Sequence, residues 1–456
     1  MNTDWTPPPS RAELLASGEQ ARQRTPRGQL AEMATGARDP LGIIASQNAT
    51  RIPELVPLRT QRMAASAFAF YRGTAALMAA DLAEAPHSGI LVASCGDAHV
   101  SNFGFYASQQ RSLMFDLNDF DEAAWAPWEW DVKRLVTSVV VGGRATGRSE
   151  QVIEQAARAA VDTYTAAITR SSGLSPTDRY FTHFDVAASQ SMFDKASRKA
   201  VRASVKQAQR RTGERAVRKL TQADADGRRL FLREAPTMTD VEIDVRGAVH
   251  DLMDQYRRST SADIALLLDH YAISDVVRRV VGVGSVGTRC YLVLFQDGDD
   301  NTVLLQPKQA ARSVLVEYGR IEQPRRVTDL IDASGEGARV VDMQRVLQGL
   351  SDPFLGFLRG PNADYYVRQF HDMKGSVEIE QLDDGPFITY ARACAAIVAR
   401  AHSQSVTAAE VAGYIGKGRR VAEALLEWAR AYADVSRADY DRFVAANRTN
   451  ATAPTP

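Results

Sequence analysis

"SCGDAHVSNFGFYASQQRSLMFDLNDFDE", from Ser94 to Glu122, sets five carboxylates, one histidine and two asparagines among Phe, Tyr, Leu and Met. Carboxylates placed in segments that favour burial need a compensating cation, because an unpaired buried charge is expensive. A metal ion is the expected partner. The apolar runs "GILVASC" (Gly89–Cys95) and "RSLMFDL" (Arg111–Leu117) flank the polar core of the motif, which therefore reads as strand–loop–strand.

Phosphoryl transfer from ATP needs a carboxylate at the acceptor hydroxyl, oxygen ligands for Mg²⁺, and a cradle plus a cation for the phosphates. Asp97 and Asn102 stand five residues apart, the D-x-x-x-x-N interval of kinase catalytic loops. Asp97 is the candidate base and Asn102 a metal ligand. Asp116, at the end of an apolar strand, is the second candidate metal ligand. His99, Asp119 and Asp121 are candidate supporting residues. "DFDE" equally suits capping or pairing with Arg or Lys. An EF-hand is excluded, since Phe120 occupies a required ligand position.

"GVGSVG" (Gly282–Gly287) fits G-x-G-x-x-G, and the strand-like "TRCYLVLF" follows it. Strand–glycines–strand is the order of a kinase phosphate-covering loop, not of a dinucleotide fold. Gly282, Gly284 and Gly287 would let backbone amides approach phosphates. Lys308, in "VLLQPKQA" beyond the hairpin signal "QDGDDN", is the candidate phosphate-binding cation. Glu317 is a candidate partner for it, in competition with Asp342 and Gln344.

The glycines and the lysine follow the acidic motif in the chain, the reverse of the usual kinase order. The expected fold is therefore α+β, a two-lobed protein-kinase-like fold that is circularly permuted, with its small β-rich lobe C-terminal to the catalytic loop. The expected division is a loosely ordered arm at 1–45 and a mostly helical catalytic-loop lobe at 46–270. A β-rich nucleotide-binding lobe at 275–370, helices completing the large lobe at 371–445 and a disordered tail at 446–456 follow.

Several of these segments resemble known families. "GDAHVSN" is similar to the G-D-x-H-x-x-N loop of the aminoglycoside and choline kinase group, and "FDLNDFD" to its I-D-x-x-D segment. "PWEWDVKRL" resembles the segment after it, which implies that Asp131 braces the catalytic loop. "VARAHS" (Val398–Ser403) resembles the L-A-x-x-H helix that precedes that loop, although "YRGTAALMAADLA" already stands before it in this chain. Together, "FAFYRG", "CGDAHVSNFG", "FDLNDFDEA", "PWEWDVKRL", "RVVDMQRVLQG", "YYVRQF" and "ARAHS" resemble an uncharacterised bacterial family, domain of unknown function 2252, from about Arg51 to Tyr440. Ala67, Ala126 and "LQPKQA" depart from its expected pattern.

Composition is that of an ordinary globular chain. Lys plus Arg balances Asp plus Glu at 55 each, so net charge points to neither nucleic acid nor membrane. Cys95, Cys290 and Cys394 form no CxxC pair, which argues against structural zinc and fits a reducing, cytoplasmic setting. No apolar run is long enough to span a bilayer. From Lys195 to Arg233, thirteen Lys or Arg stand against three acidic residues. That stretch reads as a solvated helical face or as an anionic-substrate or nucleic-acid surface, and under a non-catalytic reading it could dock an acidic partner. It lacks the interleaved aromatics of a nucleic-acid surface.

The leading functional reading is an ATP- and Mg²⁺-dependent phosphotransferase acting on a small-molecule or protein hydroxyl. Alternatives are a metal-dependent hydrolase using Asp97, His99, Asp116, Asp119 and Asp121, and a non-catalytic, pseudokinase-like nucleotide-binding protein.

Overall fold

The computed structural model describes residues 7–186, 195–280, 282, 284–370 and 375–451. The architecture is α+β. A six-stranded antiparallel sheet has the order β11-β12-β10-β9-β8-β7, formed by Gly356–Arg359 (β11), Asp364–Gln369 (β12), Thr302–Ala310 (β10), Tyr291–Gln296 (β9), Ala272–Arg279 (β8) and Met238–Thr239 (β7). The chain is straight where the sequence alternates. Tyr291, Val293 and Phe295 enter one hydrophobic core, and Leu292 and Leu294 the opposite one. The helix Ile243–Ser259 covers the first face through Val245, Leu252, Met253 and Tyr256.

The opposite face is divided. Leu304 and Phe370 pack under Val217 of the helix Gly213–Leu220. Further along the same face, Gln306 and Lys308 of β10 stand opposite Arg368 and Tyr366 of β12. The apolar end binds a helix, and the polar end meets the acidic motif.

That motif is built on small sheets. Leu91–Ser94 (β1) pairs with Ala124–Pro127 (β4), and Phe103–Ala107 (β2) lies between Leu113–Leu117 (β3) and Gly375–Ser376 (β13). A separate hairpin joins Thr221–Ala223 (β5) to Arg229–Phe231 (β6). Behind the motif runs the helix Trp128–Ala145, buried from Trp128 to Gly143. It is buried on every side, and its first turns carry Glu129, Asp131, Lys133 and Arg134 into the interior with it. The helices Glu150–Ser171 and Asp384–His402 pack beside it within one continuous core.

Two expectations need correction. The segment 1–45 is not a loose arm over its described part. Arg11–Arg24 is a helix with a Ser10–Glu13 capping box, and it crosses the helix Ala408–Ile415 at Gly18 and Gly413. A Cβ on Gly18 would lie 1.9 Å from the Glu410 carbonyl oxygen, so the contact depends on small residues rather than on an apolar stripe. The last helix, Arg419–Ala451, runs into the expected tail, whose residues 452–456 lie outside the described residues. Residues 60–84 form parts of three helices, Val56–Ala64, Ala67–Arg72 and Ala75–Ala83, separated at Ser66 and at Gly73–Thr74. No helix among the described residues is long and apolar enough to cross a membrane.

Candidate functional site

The loop after β1 is held from behind. Asp131, in the first turn of the helix Trp128–Ala145, accepts hydrogen bonds from the backbone amides of Cys95 at 2.6 Å and Gly96 at 2.9 Å. His402 adds a third contact to Asp131 through Nε2 at 3.2 Å, and its Nδ1 lies 2.8 Å from the Tyr164 hydroxyl. The "VARAHS" helix thus reaches the loop in space despite its late place in the chain. The "YRG" helix is tied to the helix behind the loop: Tyr71 donates to the Arg134 carbonyl at 2.8 Å.

One helical turn beyond Asp131, Arg134 donates to Asp97 Oδ1 at 2.8 Å and to the Tyr71 carbonyl at 2.8 Å. Its guanidinium sits 4.0 Å from the centre of the Tyr71 ring. Spacing i, i+3 puts Asp131 and Arg134 on one helix face. One fixes the loop backbone and the other fixes its carboxylate. Sequence reading noted "PWEWDVKRL" but assigned no part to Arg134.

Gly96 is required where it stands. Its φ is +80°, and a Cβ there would lie 2.2 Å from the Glu122 carbonyl oxygen. Asn102 ties the motif's two ends together by donating Nδ2 to the carbonyls of Asp97 at 2.9 Å and Asp119 at 3.3 Å. This commits the amide nitrogen and leaves Oδ1 as the acceptor end of the group. His99 lies 3.6 Å from Asp97, and burial pushes its pKa down to about 4, with Asp97 opposing. It is a neutral imidazole at pH 7.

The two ends of the sequence argument meet at Lys308. Its ammonium donates to Asp121 Oδ2 at 2.9 Å, to Asp119 Oδ1 at 3.3 Å and to the Tyr366 hydroxyl at 2.5 Å. Burial works against this ammonium, but Asp119 and Asp121 together outweigh it and hold its pKa well above the ordinary lysine range. Burial and the neighbouring Asp119 push the Asp121 carboxyl up, against Lys308. Arg368 borders the group, donating to Gln306 and to the Asn118 carbonyl. From the helix Glu336–Leu347, the buried Arg339 donates to the carbonyls of Asp121, Ala123 and Ala311 and so clamps the acidic loop against the end of β10.

Other candidates lie elsewhere. Glu317 is exposed and is not a partner of Lys308. Asp116 is buried, and it accepts from the amides of Leu117 and Gly349 at 2.8 Å each. Burial raises its pKa, and Arg400 opposes the rise. Its oxygens are thus engaged by backbone amides, whereas Asp119 and Asp121 face the lysine. Among the described residues no group of three or more His, Cys, Asp or Glu side chains could hold a metal ion.

The glycine turn does not point away into solvent as a whole. Gly282 is exposed, with φ +69°, and its carbonyl accepts from Arg62. Val286 is fully buried with Ile52 and Leu55, and the Gly287 carbonyl accepts from the Ile52 amide at 2.8 Å. Gly284 approaches the Arg72 carbonyl, and Arg72 in turn is a charged neighbour of His99. Val283 lies outside the described residues.

Fold and site together define an α+β protein in which a sheet-borne lysine is paired with the carboxylates of a distant strand–loop motif. A family model described as "Uncharacterized protein conserved in bacteria (DUF2252)" matches residues 51–446, and the chain belongs to this family. No curated protein and no solved structure matches.

Proposed function

We propose that the chain is an ATP- and Mg²⁺-dependent phosphotransferase with a circularly permuted, kinase-like arrangement, acting on a hydroxyl acceptor. The observation that carries this reading is the meeting of Lys308 with Asp119 and Asp121, which stand 189 and 187 residues before it in the sequence. A cation on a central strand facing two carboxylates, beside an Asn and an Asp five residues apart, supplies three of the parts phosphoryl transfer uses: a phosphate cation, metal ligands and a carboxylate for the acceptor.

In this reading Asp119 and Asp121, with Asn102 Oδ1, would hold Mg²⁺, and Lys308 would then be free to reach the phosphates. Mg²⁺ commonly takes one or two carboxylates and completes its shell with water and phosphate oxygens, so this donor set fits it. Bound metal would neutralise charge on the transferring phosphoryl group. Asp97, held by Arg134, orients the acceptor hydroxyl. The acceptor oxygen forms a bond to the γ-phosphorus, the bond to the ADP oxygen breaks, and the hydroxyl proton passes to Asp97 or to solvent. Asp116, locked by two amides, supports the strand.

Calorimetric titration with ATP and MgCl₂ tests the proposal. Binding is expected in the parent chain, weakened about tenfold or more by Lys308→Met and by Asp119→Asn. ATP affinity that is absent, or indifferent to both substitutions, sinks the reading.

A further inference from the structure

The helix Lys195–Gln209 carries an unbalanced charge pattern. Lys195, Lys199, Arg202 and Lys206 follow one another at intervals of four, three and four residues. At about 100° per residue they fall within an arc of about 60°, a straight line about 16 Å long. Arg210, just past the helix end, continues it. All five are exposed. The opposite side of the helix turns Ser197 and Ala208 into the protein.

Two features set this line apart from an ordinary solvated face. Segment 195–213 contains seven Lys or Arg and no acidic residue, and among the described residues none of the five cations of this line has a carboxylate within 4 Å. The chain pairs exposed arginines elsewhere, as in Arg419–Glu423, Arg437–Asp441 and Arg430–Glu154 on its last helix. Like charges at i, i+3 and i, i+4 also destabilise a helix. This line repeats that arrangement four times.

Its position connects it to the cleft. Ala208 packs against Gly375 of β13, and the next helix sets Val217 on the sheet face of Leu304. From Leu304 the same face of β10 continues through Gln306 to Lys308, about 13 Å along the strand.

We propose that this cationic line docks an acidic stretch of polypeptide, and that this polypeptide is the acceptor for the cleft. The second clause rests on the phosphotransferase reading. The charges select the occupant. A helix entering a nucleic-acid groove meets phosphates on both flanks, whereas the cations of this helix, the half-buried Arg198 included, keep to an arc of about 100°. A membrane-surface helix needs a free apolar side, and here Val201 and Val205 are partly buried against the core, with Ala200 and Val201 lining a cavity shared with Phe105, Phe115 and Phe184. A line of cations at intervals of three and four residues matches carboxylates repeating at the same intervals on a partner helix.

The probe is poly-L-glutamate, compared with a short DNA duplex and phosphatidylserine vesicles, on the full chain and on the triple variant Lys199→Glu, Arg202→Glu, Lys206→Glu. Reversal creates opposite-charge neighbours with Lys195 and Arg210, so an unfolding midpoint at or above the parent's verifies the fold. Polyglutamate is expected to bind the parent, and to bind the variant about tenfold or more weakly. Affinity that ignores the reversal, or a duplex or vesicle that binds more tightly than polyglutamate, overturns the docking surface. This measurement needs no nucleotide, so it stands even if ATP does not bind. For the acceptor clause, phosphate transfer from ATP to a serine-containing glutamate peptide should show a raised KM in the variant at a similar kcat. A fall in kcat at unchanged KM overturns that clause.

Discussion

Lys308 and Asp121 stand 187 residues apart in the chain, and their charged groups meet at 2.9 Å between the main sheet and the acidic motif. The contact fastens β10 to the loop after β3. The lysine side chain is 5% exposed and Asp121 27% exposed, so solvent only partly screens the pair. A double-mutant cycle with Lys308→Met and Asp121→Asn, read by chemical denaturation, is expected to give a coupling of about 1–3 kcal/mol. Additive single effects would mean that the two charges do not act on one another.

Lys133 is fully buried on the central helix, and its ammonium lies 4.6 Å from the centre of the Trp428 ring. Burial pushes its pKa down to about 8, with Glu129 opposing. The unfolded chain then holds a proton between about pH 8 and pH 10.5 that the folded chain has lost, so this group makes stability rise with pH across that window. Lys133→Met is expected to stabilise the protein at pH 7 by about 1–3 kcal/mol and to flatten the rise. Denaturation curves at pH 7, 8.5 and 10 check both.

Glu122 shows the opposite dependence. Its carboxylate accepts from the Val314 amide at 2.7 Å, but burial pushes its pKa up to about 7. Between the unfolded value near 4.5 and about 7, the folded chain holds the extra proton, so stability from this group falls as pH rises. Glu122→Gln keeps an acceptor for Val314. It should remove that slope and add about 1–2 kcal/mol at pH 8. An unchanged slope between pH 5 and 8 would assign the titration to another group.

At Gly96 the expected effect is steric. Gly96→Ala forces a Cβ onto the Glu122 carbonyl at a positive φ. A loss of about 2–4 kcal/mol is expected in thermal or chemical unfolding, together with any ATP affinity the parent shows. Gly89, also at positive φ but with open space around its Cβ position, is the control and should lose about 1 kcal/mol on the same change.

The sequence was most legible where spacing is local. The strands flanking "GDAHVSN" and the "QDGDDN" hairpin follow from short patterns, and they appear at β1, β3 and the β9–β10 turn. Lys308 could be singled out because it follows the glycine turn and the hairpin signal on a β-rich run. Its partners could not be read, since Asp119, Asp121 and Tyr366 reach it by three-dimensional closure. Arg134 was present in a quoted motif, and its i, i+3 relation to Asp131 was the available signal. Asp116 looked like a ligand by position in a strand. Only the structure shows the Gly349 amide bonded to it.

Arg38 lies ahead of the family's matched segment, yet it joins parts of the chain inside that segment. It donates to Asp81 at 2.6 Å and 2.7 Å and to Asp439 at 2.8 Å, while the Tyr432 hydroxyl also donates to Asp81. A version trimmed to start at Arg51 would leave two sequestered anions facing each other with their shared counterion removed. It would also uncover the groove beside Gly413. Expression boundaries drawn from family similarity alone would therefore cut away a keystone, and poor behaviour of such a fragment would reflect the cut rather than the protein.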